Sequence, residues 1–454
     1  THAHIVEGNA LRLDWESVVP KDKLNYIMGN PPFVGAQYMS KAQKADLMDL
    51  FKGNKKAGVL DFVAGWYEKA CAFIAGTSIE TAFVSTNSIT QGEQVAALWK
   101  PLFEKYGIHI IFAHRTFRWD SEASIKAHVH CVIIGFCTTN SKRSKCLYDE
   151  TGNGKNVSRI NPYLIDAEDI FIEKRSKPLS EVPTMHRGSQ PTDDGNFILT
   201  QEEKDDLIKK EPAIETVIKK YMMGKDFINR KPRYCLWLAD ANPSIAKSSK
   251  TIMERVENVR IFRSRSAKAA TREKANTPAL FDENQQPNTA FVAIPKVSSQ
   301  RRRYVPMDFM LPDTVVGDKI YIIENATLYH FGVMTSNVHM AWMRAVCGRL
   351  KSDYSYSNTI VYNNFVWPDA TEAQAKRIEE TAQEILNARA RYESVPFSDL
   401  YDPNFMPDVL SKAHQANDRA VMQAYGMPIK ETDEASCVAW LMRLYQDKVG
   451  ELQI

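Results

Sequence analysis

Apolar and polar positions follow two regimes along this chain. Through about residue 140, short apolar runs bounded by turn residues alternate with helical periodicities. The run Ile5-Val6-Glu7-Gly8-Asn9-Ala10-Leu11 predicts a strand closing on a polar turn, and residues 24–29 predict a short buried strand. A helical pattern over 40–51 is followed by a second over 61–74, in which Phe62, Val63, Trp66, Tyr67 and Ala70 fall on one face. Asp61 stands where it would cap that second helix. Residues 81–85 read as a buried strand, followed by a polar turn and a helix to Phe103. The runs at 108–112 and 127–136 have no helix between them. They predict an antiparallel hairpin at the edge of an otherwise parallel sheet.

Residues 141–158, rich in Ser, Lys, Asn and Gly, read as a linker. Beyond it the pattern changes. Residues 200–223 are charged and helical, 224–238 turn into a strand, and short strands follow at 291–294, 303–305 and 320–323, with a polar, mobile loop expected at 266–288. Helical periodicity returns at 371–392, opened by Thr371 as an N-cap, and again at 411–425 and 432–449. The predicted class is α/β: a partial Rossmann-like sheet over 1–140, the linker 141–158, an α+β domain over 159–368 and a small helical domain over 369–454.

At 454 residues the chain exceeds one domain. It has no run of 18 apolar residues, so no membrane-spanning helix is expected. Its 7 cysteines are scattered and odd in number, which predicts reduced thiols in a cytosolic protein rather than a disulfide framework. The formal charge of +3 conceals an asymmetry: residues 230–303 hold 16 Lys/Arg against 6 Asp/Glu, residues 369–454 hold 9 against 15. A basic middle suits phosphate contacts. Its candidates are Arg260, Arg263, Arg265, Arg301, Arg302 and Arg303.

The sharpest chemical signal is Asn30-Pro31-Pro32-Phe33. Two prolines can neither extend a strand nor enter a helix interior, because neither has an N–H. The backbone must therefore leave the sheet there, at the carboxyl end of a strand, where open α/β sheets bind ligands. The Asn30 side-chain oxygen and the Pro31 carbonyl are two acceptors for the two hydrogens of an exocyclic amino group, and Phe33 can cover the ring carrying it. Such a corner needs positioning rather than a metal or a general base. His128, His130 and Cys131 do not form a metal cluster by pattern, since an alternating strand puts the cysteine on the opposite face from the histidines.

This corner resembles motif IV of the amino-group methyltransferases. Taken with Gly8-Asn9-Ala10-Leu11, residues 86–94, 112–119 and 128–136, and the block Gly348-Arg349-Leu350-Lys351-Ser352-Asp353-Tyr354-Ser355, the chain resembles the MmeI-like DNA adenine methyltransferases from their motif III onward. The resemblance covers most of the chain. It implies a class I methyltransferase of a restriction–modification system, acting on N6 of an adenine flipped from double-stranded DNA with S-adenosylmethionine as donor. Asn30, Pro31, Pro32 and Phe33 would be catalytic, with Asn9 and Asn30 near the cofactor and Phe117 and Trp119 flanking the flipped base. Residues 159–368 would be the target recognition domain, in which Lys351 and Asp353 read one G·C pair. A cytoplasmic, nucleoid-associated protein of a prokaryote is implied.

One departure qualifies the resemblance. The family's Gly-rich cofactor loop does not precede the corner; Gly152-Asn153-Gly154 follows no strand and Phe331-Gly332 lacks a second glycine. The expectation is therefore a C-terminal fragment that neither binds the cofactor nor transfers a methyl group unaided. Two other readings accommodate the corner: a DNA-binding specificity module without catalysis, and a protein-glutamine methyltransferase. The long basic region after the corner disfavours the second.

Overall fold

The computed structural model describes residues 3–120, 128–139 and 144–452. Its contacts divide the chain into two units that are not contiguous in sequence. The first comprises Thr1–Leu179, Ala341–Val366 and Lys430–Ile454, the second Ser180–Met340 and Trp367–Ile429.

The first unit is built on six strands: β1 (Tyr26–Gly29), β2 (Glu80–Thr86), β3 (His109–Asp120), β4 (His128–Cys137), β5 (Lys145–Tyr148) and β6 (Gly154–Val157). Their order across the sheet is β1-β2-β4-β3-β5-β6. β1 and β2 are parallel, β4 runs antiparallel to both its neighbours, β3 and β5 are parallel, and β6 is antiparallel. Tyr67, from the helix Ala64–Ile74, is buried at the centre of an aromatic cluster. Its ring lies edge-on to Phe83 and Trp99 at 5.3 and 5.2 Å and stacks on Phe136 at 5.4 Å. The helix Gly92–Tyr106 adds Trp99, whose indole N–H donates to the Ile89 carbonyl at 2.7 Å, and it stops at Gly107, which adopts φ +60° as a left-handed C-terminal cap.

Four expectations change here. Residues 3–9 form no strand. The β3–β4 hairpin is not at the sheet edge, because β4 is inserted between β2 and β3 and two further strands follow. Those strands, β5 and β6, lie within the expected linker 141–158; its residues 141–143 lie outside the described residues. β1 and β6 are the edge strands instead, and Tyr26 and Met28 of β1 are exposed rather than buried.

The second unit holds two four-stranded sheets. One orders Thr314–Val316, Ile218–Met222, Arg233–Leu236 and Ile198–Leu199; the other orders Asp308–Met310, Phe291–Pro295, Ile320–Glu324 and Met185–Arg187. Of the expected helix over 200–223, only Gln201–Lys210 is α-helical, and Ile218–Met222 is a strand. The helices Glu372–Ala390 and Asp408–Ala424 pack beside Leu328–Met334. There the Gly332 carbonyl accepts from the Asn417 amide at 2.8 Å, and a Cβ on Gly332 would lie 2.6 Å from Ile378 Cγ2. The helical tail thus contributes to both units, its last stretch from Lys430 belonging to the first. No helix among the described residues is long and apolar enough to cross a membrane.

Candidate functional site

β1 ends on Gly29, which is pressed against the Phe83 ring: a Cβ there would sit 3.2 Å from two ring carbons. The chain then leaves the sheet through the prolines. Pro31 is buried and Pro32 exposed, Phe33 is half-buried, and Asn30 is exposed. Neither the Asn30 side chain nor the Pro31 carbonyl has a hydrogen-bond partner among the described residues. Two adjacent acceptors are thus left open on a backbone that the prolines hold stiff. The corner contains no ionisable side chain, so its chemistry is positional.

The segment after the corner is clamped. The Val34 carbonyl accepts from Phe62 N at 2.9 Å, and Asp61 Oδ1 accepts from Ala36 N at 3.0 Å. Asp61 Oδ2 accepts from the Ser88 hydroxyl and, at 3.4 Å, from Thr86. The Asp61 amide in turn donates to Gln94 Oε1 at 3.1 Å. Asp61 is buried at 8% exposure and its carboxylate does not cap the helix, which begins at Ala64. It ties the segment following Phe33 to the carboxyl end of β2. The sequence offers one clue to this role, a carboxylate set between apolar Leu60 and Phe62.

The sheet register gathers further residues at the same end. Gly29 pairs with Phe83, and Thr86 pairs with Cys131, which pairs with Phe117. β1, β2 and β3 run in one direction, so Asn30, Thr86 and the Phe117–Trp119 segment share the carboxyl end of the sheet. Trp119 is 46% exposed; Phe117 lies between it and His114, with ring centroids 6.1 and 4.8 Å away. Asn9 is differently engaged. Its amide donates to Asp46 Oδ2 at 2.9 Å and its oxygen accepts from Leu11 N at 3.0 Å, while Arg12 holds the Asp46 carboxyl below its ordinary pKa. Asn9 therefore serves a turn here.

The block around Lys351 is a tight hairpin within the first unit. Gly348–Leu350 pairs antiparallel with Asp353–Ser355, leaving Lys351 and Ser352 at the tip. Lys351 is exposed with φ +58°, a conformation a turn of this kind ordinarily gives to glycine. Arg349 supports the tip, donating to the Ser352 carbonyl at 3.0 Å and lying 3.9 Å from the centre of the Tyr354 ring. The base of the hairpin meets the start of the helix Gly92–Tyr106. A Cβ on Gly92 would lie 3.2 Å from Gly348 Cα and 3.3 Å from Gly348 N.

The arginine candidates divide. Arg263 is a correction: it is fully buried, and its guanidinium donates to the carbonyls of Pro191, Thr192, Lys274, Thr277 and Leu280 at 2.7 to 3.2 Å. Burial lowers its pKa. It organises residues 274–280, part of the loop expected to be mobile, and has no surface to offer a phosphate. Arg260 pairs with Glu257 on its own helix, and Arg265 is exposed just past that helix. Arg301 approaches Asp402 at 3.5 Å and Arg303 approaches Asp418 at 3.8 Å, while Arg302 donates to Ser298 at 3.4 Å. Among the described residues no group of three or more His, Cys, Asp or Glu is placed to hold a metal; the His128 side chain lies outside them.

The chain thus combines a mixed sheet that ends in a proline corner with a second, β-rich unit and helices towards the end of the sequence. The chain belongs to the MmeI family: residues 1–149 match the MmeI DNA-methyltransferase domain, 166–369 the MmeI target recognition domain and 370–453 the MmeI C-terminal domain. It is 43% identical to the Type IIL restriction–modification enzyme MmeI, whose structure was solved in complex with DNA. The match has a TM-score of 0.90 and covers 98% of this chain and 60% of that one. It is also 38% identical over 443 residues to DNA methyltransferase A of Bacillus subtilis (strain 168), covering 97% of this chain and 50% of that protein. The chain thus spans one half to three fifths of the length of these relatives.

Proposed function

We propose that this chain forms the target-base pocket and recognition part of a site-specific DNA methyltransferase that modifies N6 of adenine. The observation that carries the reading is the pair of open acceptors, the Asn30 side chain and the Pro31 carbonyl, at the carboxyl end of β1. Each accepts one N–H of the adenine amino group. That leaves the nitrogen lone pair directed out of the ring plane, while Phe33 covers one face of the base. An adenine inside a duplex cannot reach this corner, so the base is extruded first, and Phe117 and Trp119 stand at the same sheet end to receive it.

S-adenosylmethionine supplies an electrophilic methyl group to enzymes of this class. The residues here suit the accepting base better than the donor. Asn30 is open, whereas Asn9 is engaged by Asp46 and Leu11. Lys351 and Asp353 read one G·C pair, the lysine donating to guanine O6 or N7 and the aspartate accepting from cytosine N4. Arg260, Arg265, Arg301, Arg302 and Arg303 contribute phosphate contacts.

Titration of a fluorescent duplex with the chain tests the DNA reading. Affinity should fall steeply, along a straight line in log[salt], as salt rises. No binding at low salt, or binding indifferent to salt, would remove the DNA-binding half of the proposal.

A further inference from the structure

The target-base corner and the Lys351 hairpin are joined by a continuous run of short contacts within the first unit. Asp61 holds Ala36 through its carboxylate and Gln94 through its amide. Gln94 lies in the first turn of the helix that begins at Gly92, and a Cβ on Gly92 would press on the Gly348 backbone. We infer that Gly92 is a positioning residue for base recognition, its missing side chain setting how closely the recognition hairpin seats on the catalytic sheet. This rests on the proposed DNA reading above.

Three features carry it. First, a side chain at Gly92 would crowd backbone, not a side chain. The atoms that a Cβ on Gly92 would meet are the Cα and N of Gly348 and the carbonyl carbon of Cys347. A backbone cannot rotate aside as a flexible side chain can, and close-packed contacts transmit displacement rather than absorb it. Second, Gly92 adopts φ +55°, so the helix starts immediately after the turn at Asn87–Thr90 that carries Ser88 and is tied to Asp61. Third, only Arg349 and Leu350 separate Gly348 from Lys351, and Gly348 is itself paired with Ser355. A shift at the hairpin base is therefore carried rigidly to the tip. Gly92 is not in the base-reading block, and its influence is exerted through placement alone.

The contact is asymmetric, and this gives the test. A Cβ on Gly348 would meet nothing within 4 Å, and Gly348 is not in the left-handed region. Wild type, Gly92→Ala and Gly348→Ala are used to select binding sites from a randomised duplex pool. Each protein is then titrated against the selected duplex, against duplexes altered at the base pair read by Lys351 and Asp353, and against non-specific DNA, with thermal melts in parallel. Gly92→Ala should lose about tenfold of its preference at that base pair while non-specific binding is retained. Gly348→Ala should behave as wild type. Asn enters the left-handed region more readily than other non-glycine residues, so Gly92→Asn separates contact from backbone strain and serves where Gly92→Ala does not fold. It should lose the same preference. Wild-type discrimination by folded Gly92→Ala or Gly92→Asn, or an equal loss in Gly348→Ala, overturns the inference. A wild-type chain that enriches no sequence defeats the proposed recognition function and this inference with it.

Discussion

Arg263 donates to five backbone carbonyls from a fully buried position. Truncating it leaves those carbonyls and the space around them unfilled. Arg263→Ala is expected to destabilise the protein by about 3 kcal/mol or more, since hydrogen bonds from a charged donor contribute more than neutral ones and buried orphans add to the loss. It should leave the salt dependence of DNA binding unchanged. Denaturant unfolding and a salt titration together check both halves; a flatter salt slope in a stable variant would restore Arg263 to the DNA surface. Sequence placed Arg263 with Arg260 and Arg265 because all three stand in one basic run. Charge count cannot distinguish a solvated guanidinium from one enclosed by loops up to 72 positions away. Asn30 was legible for the opposite reason. Its setting is written locally, in the two prolines that follow it, and needs no distant partner to define it.

Among the elements, the segment that follows Phe33 depends on Asp61. Asp61→Ala removes the acceptor for Ala36 N and for the Ser88 hydroxyl. It should cost about 1 to 3 kcal/mol, the usual penalty for stranding buried donors. Faster amide exchange at Ala36 and its neighbours is expected, with exchange in the second unit unaffected. Protection of Ala36 equal to wild type would show that the clamp is dispensable. The Lys351 hairpin gives a second prediction. Exchanging the charges, with Lys351→Asp and Asp353→Lys together, should alter the enriched base pair at one position of the bound site and leave the others; an unchanged site would refute the reading assigned to them. The corner strand, the sheet helices and the Thr371-capped helix were legible because each is specified by a short periodic run. β5 and β6 were not. Each is only four residues long, β6 is polar and largely exposed, and both hold a place in the sheet through pairing with β3 and with each other, a non-local condition that composition reads as a linker. Nor could periodicity show that residues 341–366, deep in the stretch that matches the MmeI target recognition domain, cluster with the six-stranded sheet.

Across the full chain, acid should act first on buried histidines of the second unit. His414 is buried against Tyr304, 4.1 Å between ring centres, and its Nε2 meets the Tyr401 hydroxyl at 3.1 Å. Burial, reinforced by the charges of Arg389 and Arg303, holds its pKa down to about 3, and burial does the same to His339. The folded values lie below those of the unfolded chain. The stability these groups contribute is complete above about pH 6.5 and is lost as pH falls from there toward 3, by up to about 1.4 kcal/mol per pH unit for each group. Unfolding curves at pH 7 and pH 5 should show the drop, and His414→Gln should reduce it; an identical drop in the variant would exclude His414 as a source.

The chemistry proposed for this chain rests on the corner at Asn30, and the identity of the base it modifies probes that corner most directly. Duplex DNA treated with S-adenosylmethionine and the protein as its coding frame encodes it is digested to nucleosides and separated, for wild type and for Asn30→Ala. We predict N6-methyl-2′-deoxyadenosine from wild type and about a hundredfold less from Asn30→Ala, the scale of a reacting group misplaced by an ångström, with duplex affinity little changed. A methylated 2′-deoxycytidine as the product, or an undiminished yield of N6-methyl-2′-deoxyadenosine from Asn30→Ala, would contradict it.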